Sequence, residues 1–290
     1  MAVLQAVDRR GVVWSVPRLR GGVMSGSKPV AEVADGVYCV AVGRGVLASN
    51  VYLIRSGGSW ALIDAAWPGH GQLIQAAAES VFGKGTRPAS MLLTHIHPDH
   101  SGSARELARI WDLPVWVHPG ELPMVAGKYR PEYGNPLDRW LIMPLMRVLP
   151  RRRVDSMISA ASLADVARPL DPVGPPPGLP DWRYVAAPGH TPGHIAFFRA
   201  SDRVLIAGDA VVTVNLNSVR ALFRGRPGAW GPPRYTTWNW PLASESVAVL
   251  ARLEPHVLAG GHGQPMTGTE TAARLHAMAK QLCGTTAARR

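Results

Sequence analysis

One segment limits this chain more than any other: Thr94-His95-Ile96-His97-Pro98-Asp99-His100-Ser101-Gly102. It closes a short apolar run, Ser90 to Thr94, that reads as a buried strand. Four side chains able to bind a metal fall within six positions. In an extended segment, residues i and i+2 project to the same side, so His95 and His97 can grip one cation. Pro98 turns the chain, and Asp99 and His100 can then reach a second. Imidazole and carboxylate suit Zn²⁺, with Fe or Mn as alternatives. A plain polar turn would instead crowd three imidazoles into one loop with nothing between them.

Three later segments repeat one form: a short apolar strand, a glycine, then a ligand-type residue. They are Ala187-Pro188-Gly189-His190-Thr191-Pro192-Gly193-His194, Ala207-Gly208-Asp209-Ala210 and Gly260-Gly261-His262-Gly263. Strand ends can deliver residues distant in sequence to one edge of a sheet sandwich. Each segment alone is weak, because a Gly-Asp turn is usually only a turn. Their number and order make the combination specific.

Composition narrows the classes further. The chain has 290 residues, 47% of them hydrophobic and 18% charged, enough for a globular core in one large domain or two small ones. Cys39 and Cys283 are the only cysteines, which excludes a disulfide framework and a cysteine-based zinc site. The net charge of +11 disfavours a cationic ligand and permits anionic substrates, nucleic acid or an acidic membrane surface. No apolar run approaches the ~18 residues of a membrane span, and the start carries charges where a signal peptide needs an apolar core. A soluble cytoplasmic protein is the expectation, with peripheral membrane contact left open.

Residues 1–32 read as a basic N-terminal arm and residues 33–290 as the catalytic domain. β-like runs follow the arm at Val37–Val42, Asn50–Arg55 and Trp60–Ile63, with Ser56-Gly57-Gly58-Ser59 a hairpin turn. Helices are expected at 72–82, 103–111, 241–253 (Ser244 a candidate cap) and 269–282. Further strands are expected at 115–118, 182–186, 195–199, 204–207 and 257–259. Residues 121–181 differ: apolar clusters, prolines and Arg151-Arg152-Arg153 suggest a lid-like insertion, closed by a stiff Pro-rich connector. Residues 210–244 suggest a substrate loop that begins beside Asp209.

At this point the sequence resembles the metallo-β-lactamase-fold hydrolase superfamily, over roughly Val33 to Gly268. The resemblance rests on HxHxDH at His95 to His100, GHTPGH at His190, GD at Asp209 and GH at His262. It implies a four-layer αββα sandwich, an α/β fold with the metal site at one edge. It also implies two zinc ions. His95, His97 and His190 would hold the first; Asp99, His100 and His262 the second; Asp209 would bridge both. Asp64 resembles the family's early aspartate that supports the ligands from behind. His194 and Thr191 are read in the same supporting position.

The mechanism implied is hydrolysis by a metal-bridging hydroxide, with Asp99 and Asp209 as the catalytic carboxylates. His97 argues against the flavin-coupled diiron branch, which has Glu there. Asp209 argues against the exported β-lactamases. Glyoxalase II shares all seven ligands but carries a C-terminal helical domain for its glutathione thioester, and only a short tail follows His262. The tRNA-processing nucleases need a protruding RNA-binding arm, so no nucleic-acid partner is expected. Lactonases share the metal pattern, and one type has a Tyr three residues after the bridging Asp, where Val212 stands here; Tyr235 could substitute by folding back. Persulfide dioxygenases, with one iron, share much of the signature.

The expected substrate is a small-molecule ester, lactone or thioester, hydrophobic and bearing an anionic group. Trp140, Arg220, Phe223, Arg224, Tyr235 and Trp238 are the candidate contacts. A phosphodiesterase or sulfatase on the same metals and a mononuclear iron dioxygenase are the alternatives. Trp140 to Met146 with Arg151 to Arg153 could also touch a membrane surface, and homo-oligomerisation is open.

Overall fold

The computed structural model describes residues 5–7, 13–15, 30–45, 48–127, 130–171, 173–218 and 228–287. Gln5–Val7 (β1) and Val13–Ser15 (β2) form a small antiparallel pair. The first large sheet follows chain order through β3 (Val30–Ala34), β4 (Val37–Val42), β5 (Ser49–Ser56), β6 (Ser59–Ile63), β7 (Ser90–Leu92), β8 (Val115–Val117) and β9 (Ala167–Pro169). Neighbours are antiparallel from β3 to β6 and parallel from β6 to β9. The second sheet holds β10 (Trp182–Ala186), β11 (Ile195–Arg199), β12 (Val204–Gly208), β13 (Val257–Gly260) and β14 (Met266–Thr267). There β12 and β13 are parallel and the other pairs antiparallel.

The two sheets stack, and helices cover both outer faces. The strand sequences show why. In β5, Tyr52 and Ile54 face the second sheet, whereas Val51 and Leu53 face α1 (Gly71–Phe82) and the helix at Ala104–Trp111. In β12, Val204 and Ile206 face inward, and Leu205 and Ala207 face the helices at Trp240–Ala251 and Thr271–Ala287. A strand apolar on both faces must be covered on both, which forces four layers, αββα. Each fully buried Leu or Ile contributes on the order of 1.5–3 kcal/mol.

A short α2 (Pro98–Ser101) precedes α3 (Ala104–Trp111). Helix α3 buries Ala104, Leu107, Ala108 and Trp111, a one-faced stripe at i, i+3, i+4 and i+7. The hairpin between β5 and β6 turns at Gly57, whose φ of +55° a side chain would strain.

Two regions depart from the sequence reading. The N-terminal arm, residues 1–32, reads as basic and set apart from the domain, but β3 begins at Val30 and pairs with β4. Its short, part-exposed edge gives little periodic signal. The first two thirds of the lid-like insertion carry helices. After β8 come a 3₁₀ turn at Pro119–Met124, a π-helical turn at Asp138–Ile142, α4 (Met143–Val148) and α5 (Arg151–Ala161). The π turn has a local cause: Pro144 lacks an N–H and crowds the carbonyl four residues back, so the helix widens before it. The chain then rejoins the same sheet at β9. The Pro-rich connector does more than link, since its Leu179 is fully buried between the sheets.

Two helices follow in the C-terminal half, α6 (Trp240–Ala251) and α7 (Thr271–Ala287). The cap of α6 is Asn239, whose side chain accepts from the Leu242 N–H. Ser244 lies inside the helix and donates to the Trp240 carbonyl. Among the described residues, no helix is long and apolar enough to cross a membrane.

Candidate metal centre

Five strand ends converge on one edge of the sandwich. β6 runs into Asp64, β7 into Thr94 and His95, β10 into His190, β12 into Asp209 and β13 into His262. Parallel pairing of β6 with β7, and of β12 with β13, points those ends the same way. Main-chain bonds join the sheets there: Ile195 N donates to Thr94 O at 2.9 Å, and Asn50 N to Gly261 O at 2.7 Å.

The seven ligand-type residues form two adjacent sets. His95, His97 and His190 make one; Asp99, His100, Asp209 and His262 make the other. Within each set the candidate ligand atoms lie within 4.8 Å of one another. Asp209 stands between the sets. Its Oδ2 is 3.5 Å from His190 Nε2 and 3.4 Å from His262 Nε2, and its Oδ1 is 3.3 Å from His100 Nε2. Asp99 Oδ2 is 3.2 Å from His262 Nε2. The residues fit divalent cations: His95 Nε2 is buried without a hydrogen-bond partner among the described residues, and His97 Nδ1 lies 2.9 Å from His190 Nε2. Three converging imidazoles beside two carboxylates form a nitrogen and oxygen donor set of the kind zinc, iron or manganese takes.

Supporting residues hold several of the rings. Asp64, at φ +63°, accepts from Thr94 N and Oγ1 and lies 2.8 Å from His100 Nδ1. Such a carboxylate behind an imidazole orients it and raises its basicity. His262 Nδ1 is 2.7 Å from Ala48 O, and His190 Nδ1 is 3.2 Å from Thr237 Oγ1. His194 sits behind the cluster and accepts at Nε2 from the Asp209 N–H. Thr191 is buried in the same loop.

The two sets differ electrostatically. Burial and the neighbouring histidines hold His95 and His190 well below the usual imidazole range, so they are neutral. At His262 burial opposes charge, but Asp209 and Asp99 hold it up to about 10. His100 is likewise raised, against burial, by Asp209, Asp64 and Asp99. Asp99 is held at about 2, against burial, by His100 and His262.

Several residues that sequence reasoning passed over support the site. Glu121, the first residue of the supposed lid, is buried and accepts from Ile96 N at Oε2 and Gly193 N at Oε1. Asn50 donates to the carbonyls of Gly260 and Gly263, and Tyr52 to that of Gly260, which pins the His262 loop to β5. These contacts span up to 213 residues of chain, so no local pattern marks them.

The substrate candidates part company. Tyr235 feels the charges of Asp209 and Asp99, which with burial raise its phenol pKa. Trp238 donates from Nε1 to Glu132 O and packs edge-on against Tyr133, tying the substrate loop to the insertion. Burial raises the carboxyl of Asp138 in the insertion, and the charge of His97 partly offsets that. Trp140 is 82% exposed and turns its ring to solvent rather than to an enclosed pocket. Arg220, Phe223 and Arg224 lie outside the described residues.

A four-layer αββα fold with this edge cluster defines a class of metallo-hydrolases. Residues 44–262 match the model of the metallo-beta-lactamase superfamily, and the chain belongs to that superfamily. It is 37% identical over 255 residues to the probable metallo-hydrolase YflN of Bacillus subtilis (strain 168), covering 87% of this chain and 92% of that one. A beta-lactamase domain protein from Burkholderia ambifaria has a similar fold: TM-score 0.59, 22% identity, 92% of this chain and 78% of that one. So does a metallo-beta-lactamase family protein of Thermus thermophilus: TM-score 0.56, 22% identity, 89% and 81%.

Proposed function

We propose that the chain is a dinuclear metallo-hydrolase cleaving an ester, lactone or thioester that carries a hydrophobic part and an anionic group. The observation behind this reading is Asp209, whose two oxygens face His190 of one ligand set and His100 and His262 of the other. His95, His97 and His190 would hold one zinc ion, Asp99, His100 and His262 a second, with Asp209 shared. A pair of cations held by these residues would supply an acidified water near neutral pH and would polarise the substrate's oxygen.

The chain's own residues do the rest. Asp99 is the more exposed of the two carboxylates, so its Oδ2 is the atom able to orient the attacking water and carry off its proton. Asp64, His194 and Glu121 hold the ligand loops in place. Burial, with the charges of Asp209 and Asp99, raises the Tyr235 phenol, so it keeps its proton and its hydroxyl can donate to a substrate oxygen. Arg234 is exposed, stacked 4.5 Å from the Trp240 ring, and supplies positive charge for an anionic group.

Elemental analysis of protein purified without added metal, followed by assay on aryl esters, lactones and thioesters, tests the reading. About two zinc ions per chain and carboxylate release are expected. Tyr235→Phe should lower kcat roughly 10²-fold. Release of phosphate or sulfate alone would identify a phosphodiesterase or sulfatase. One iron per chain with thiol-dependent oxygen uptake would identify a dioxygenase.

A further inference from the structure

We propose that the consecutive helices at residues 138–161 form a docking surface for an anionic phospholipid bilayer. A surface helix normally turns polar side chains outward. Here the outer face is apolar: Leu141, Leu145 and Val148 are exposed at i, i+4 and i+7, with Trp140 beside them. The inner face, with Ile142, Met143 and Met146, is only partly buried. Helix α5 adds exposed Met157.

Charge decides what covers this face. Arg139, Arg147, Arg151, Arg152 and Arg153 are all exposed, and against these five the segment carries two acids, Asp138 and Asp155, at or beyond the ends of the stripe. An apolar stripe with a tryptophan, flanked by arginines, matches a headgroup region: apolar groups enter the acyl boundary and guanidinium groups meet phosphate. A second copy of this chain would bring two arginine clusters face to face. The first 29 residues are no better suited, since Asp8 is their only acid beside Arg9, Arg10, Arg18, Arg20 and Lys28.

The insertion that carries these helices reaches the metal centre, because Thr237 lies 3.2 Å from His190 and its neighbour Trp238 donates to Glu132 O. Docking would therefore turn the centre's insertion side toward the lipid, where a hydrophobic acyl substrate partitions. That last step rests on the hydrolase reading; the docking itself does not.

The test is co-sedimentation of the full-length, metal-loaded protein with phosphatidylcholine vesicles, with and without phosphatidylglycerol. Binding is expected only to the phosphatidylglycerol vesicles, and it should fall as salt rises. Arg151→Glu with Arg152→Glu and Arg153→Glu should weaken it roughly 100-fold or more. Leu145→Ser with Val148→Ser, both exposed, should weaken it roughly tenfold or more. No binding to phosphatidylglycerol vesicles at low salt, or binding untouched by both variants, overturns the proposal. Two other outcomes also overturn it. One is a concentration-dependent dimer lost in Leu145→Ser/Val148→Ser, which assigns the face to a second copy. The other is binding to polyglutamate but not vesicles, which assigns it to an acidic protein. Metal content and turnover of a soluble ester, measured on the same samples, keep a failure of docking apart from a failure of the hydrolase reading.

Discussion

The Glu121 carboxylate accepts a 2.6 Å hydrogen bond from the Gly193 N–H, across 72 residues of chain. Its other oxygen accepts from the Ile96 N–H at 3.1 Å. Ile96 separates His95 from His97, and Gly193 lies in the loop of His190. One buried carboxyl thus sets the spacing of the three-histidine set. Glu121→Ala should leave two N–H groups unpaired, at about 1–3 kcal/mol each. Metal affinity should fall roughly 10–100-fold. Chelator competition measures it, and an unchanged affinity would remove the positioning role.

The same residue makes a pH prediction for metal-free protein. Burial pushes Glu121 up from 4.5 to about 7, against the pull of its N–H donors. The folded state therefore binds the proton more tightly than the unfolded state. Its contribution to stability is complete below about pH 4.5 and is lost as pH rises through about 7. Gln cannot ionise, so Glu121→Gln should gain on wild type by about 3 kcal/mol between about pH 4.5 and about pH 8. Urea melts of both proteins across that range give the difference; parallel curves would contradict it.

Metal binding should expel protons. At neutral pH the metal-free His262, held up to about 10, carries a proton that a ligand imidazole must lose. Calorimetric titration with zinc in two buffers of different ionisation enthalpy should show release of about one proton or more per chain. Apparent affinity should fall as pH falls. Zero release would count against His262 as a ligand.

Gly261 is a test of Asp209. A Cβ at Gly261 would run into Asp209 Oδ1 and come within 2.7 Å of His100 Cε1. Gly261→Ala should push the shared carboxylate aside, and the cheapest relief is at that side-chain end. Loss of bound metal by elemental analysis, with circular dichroism unchanged, is the expected result. Full metal content would show that Asp209 is not fixed where it stands.

How much was legible depended on the range of each interaction. His95 to His100 stood out because strand alternation and one proline bring their side chains together within a single turn. The strands β5 and β12 stood out because both faces are apolar. Asn239 was missed as the α6 cap because Ser244 is an equally good capping type by composition. The helices at 138–161 were missed because their outer face is apolar and interrupted by Pro144 and Pro150, so neither periodicity nor breakers matched an ordinary surface helix. Asp64 was recognised only through the family pattern, since an aspartate after a strand carries no signal of what it will face.

The donor set, the strand ends that carry it and the sandwich that two-faced apolar strands require can be read from residue order. Those depend on side-chain type and local period, which are properties of neighbours in the chain. That Asp209 stands between two candidate ligand sets, that Glu121 and Asn50 brace the loops, and that Trp140 faces solvent emerges from the folded chain. Each of those depends on which strands run side by side and in which direction. That is set by the packing of two sheets as a whole, through contacts that no short stretch of sequence contains.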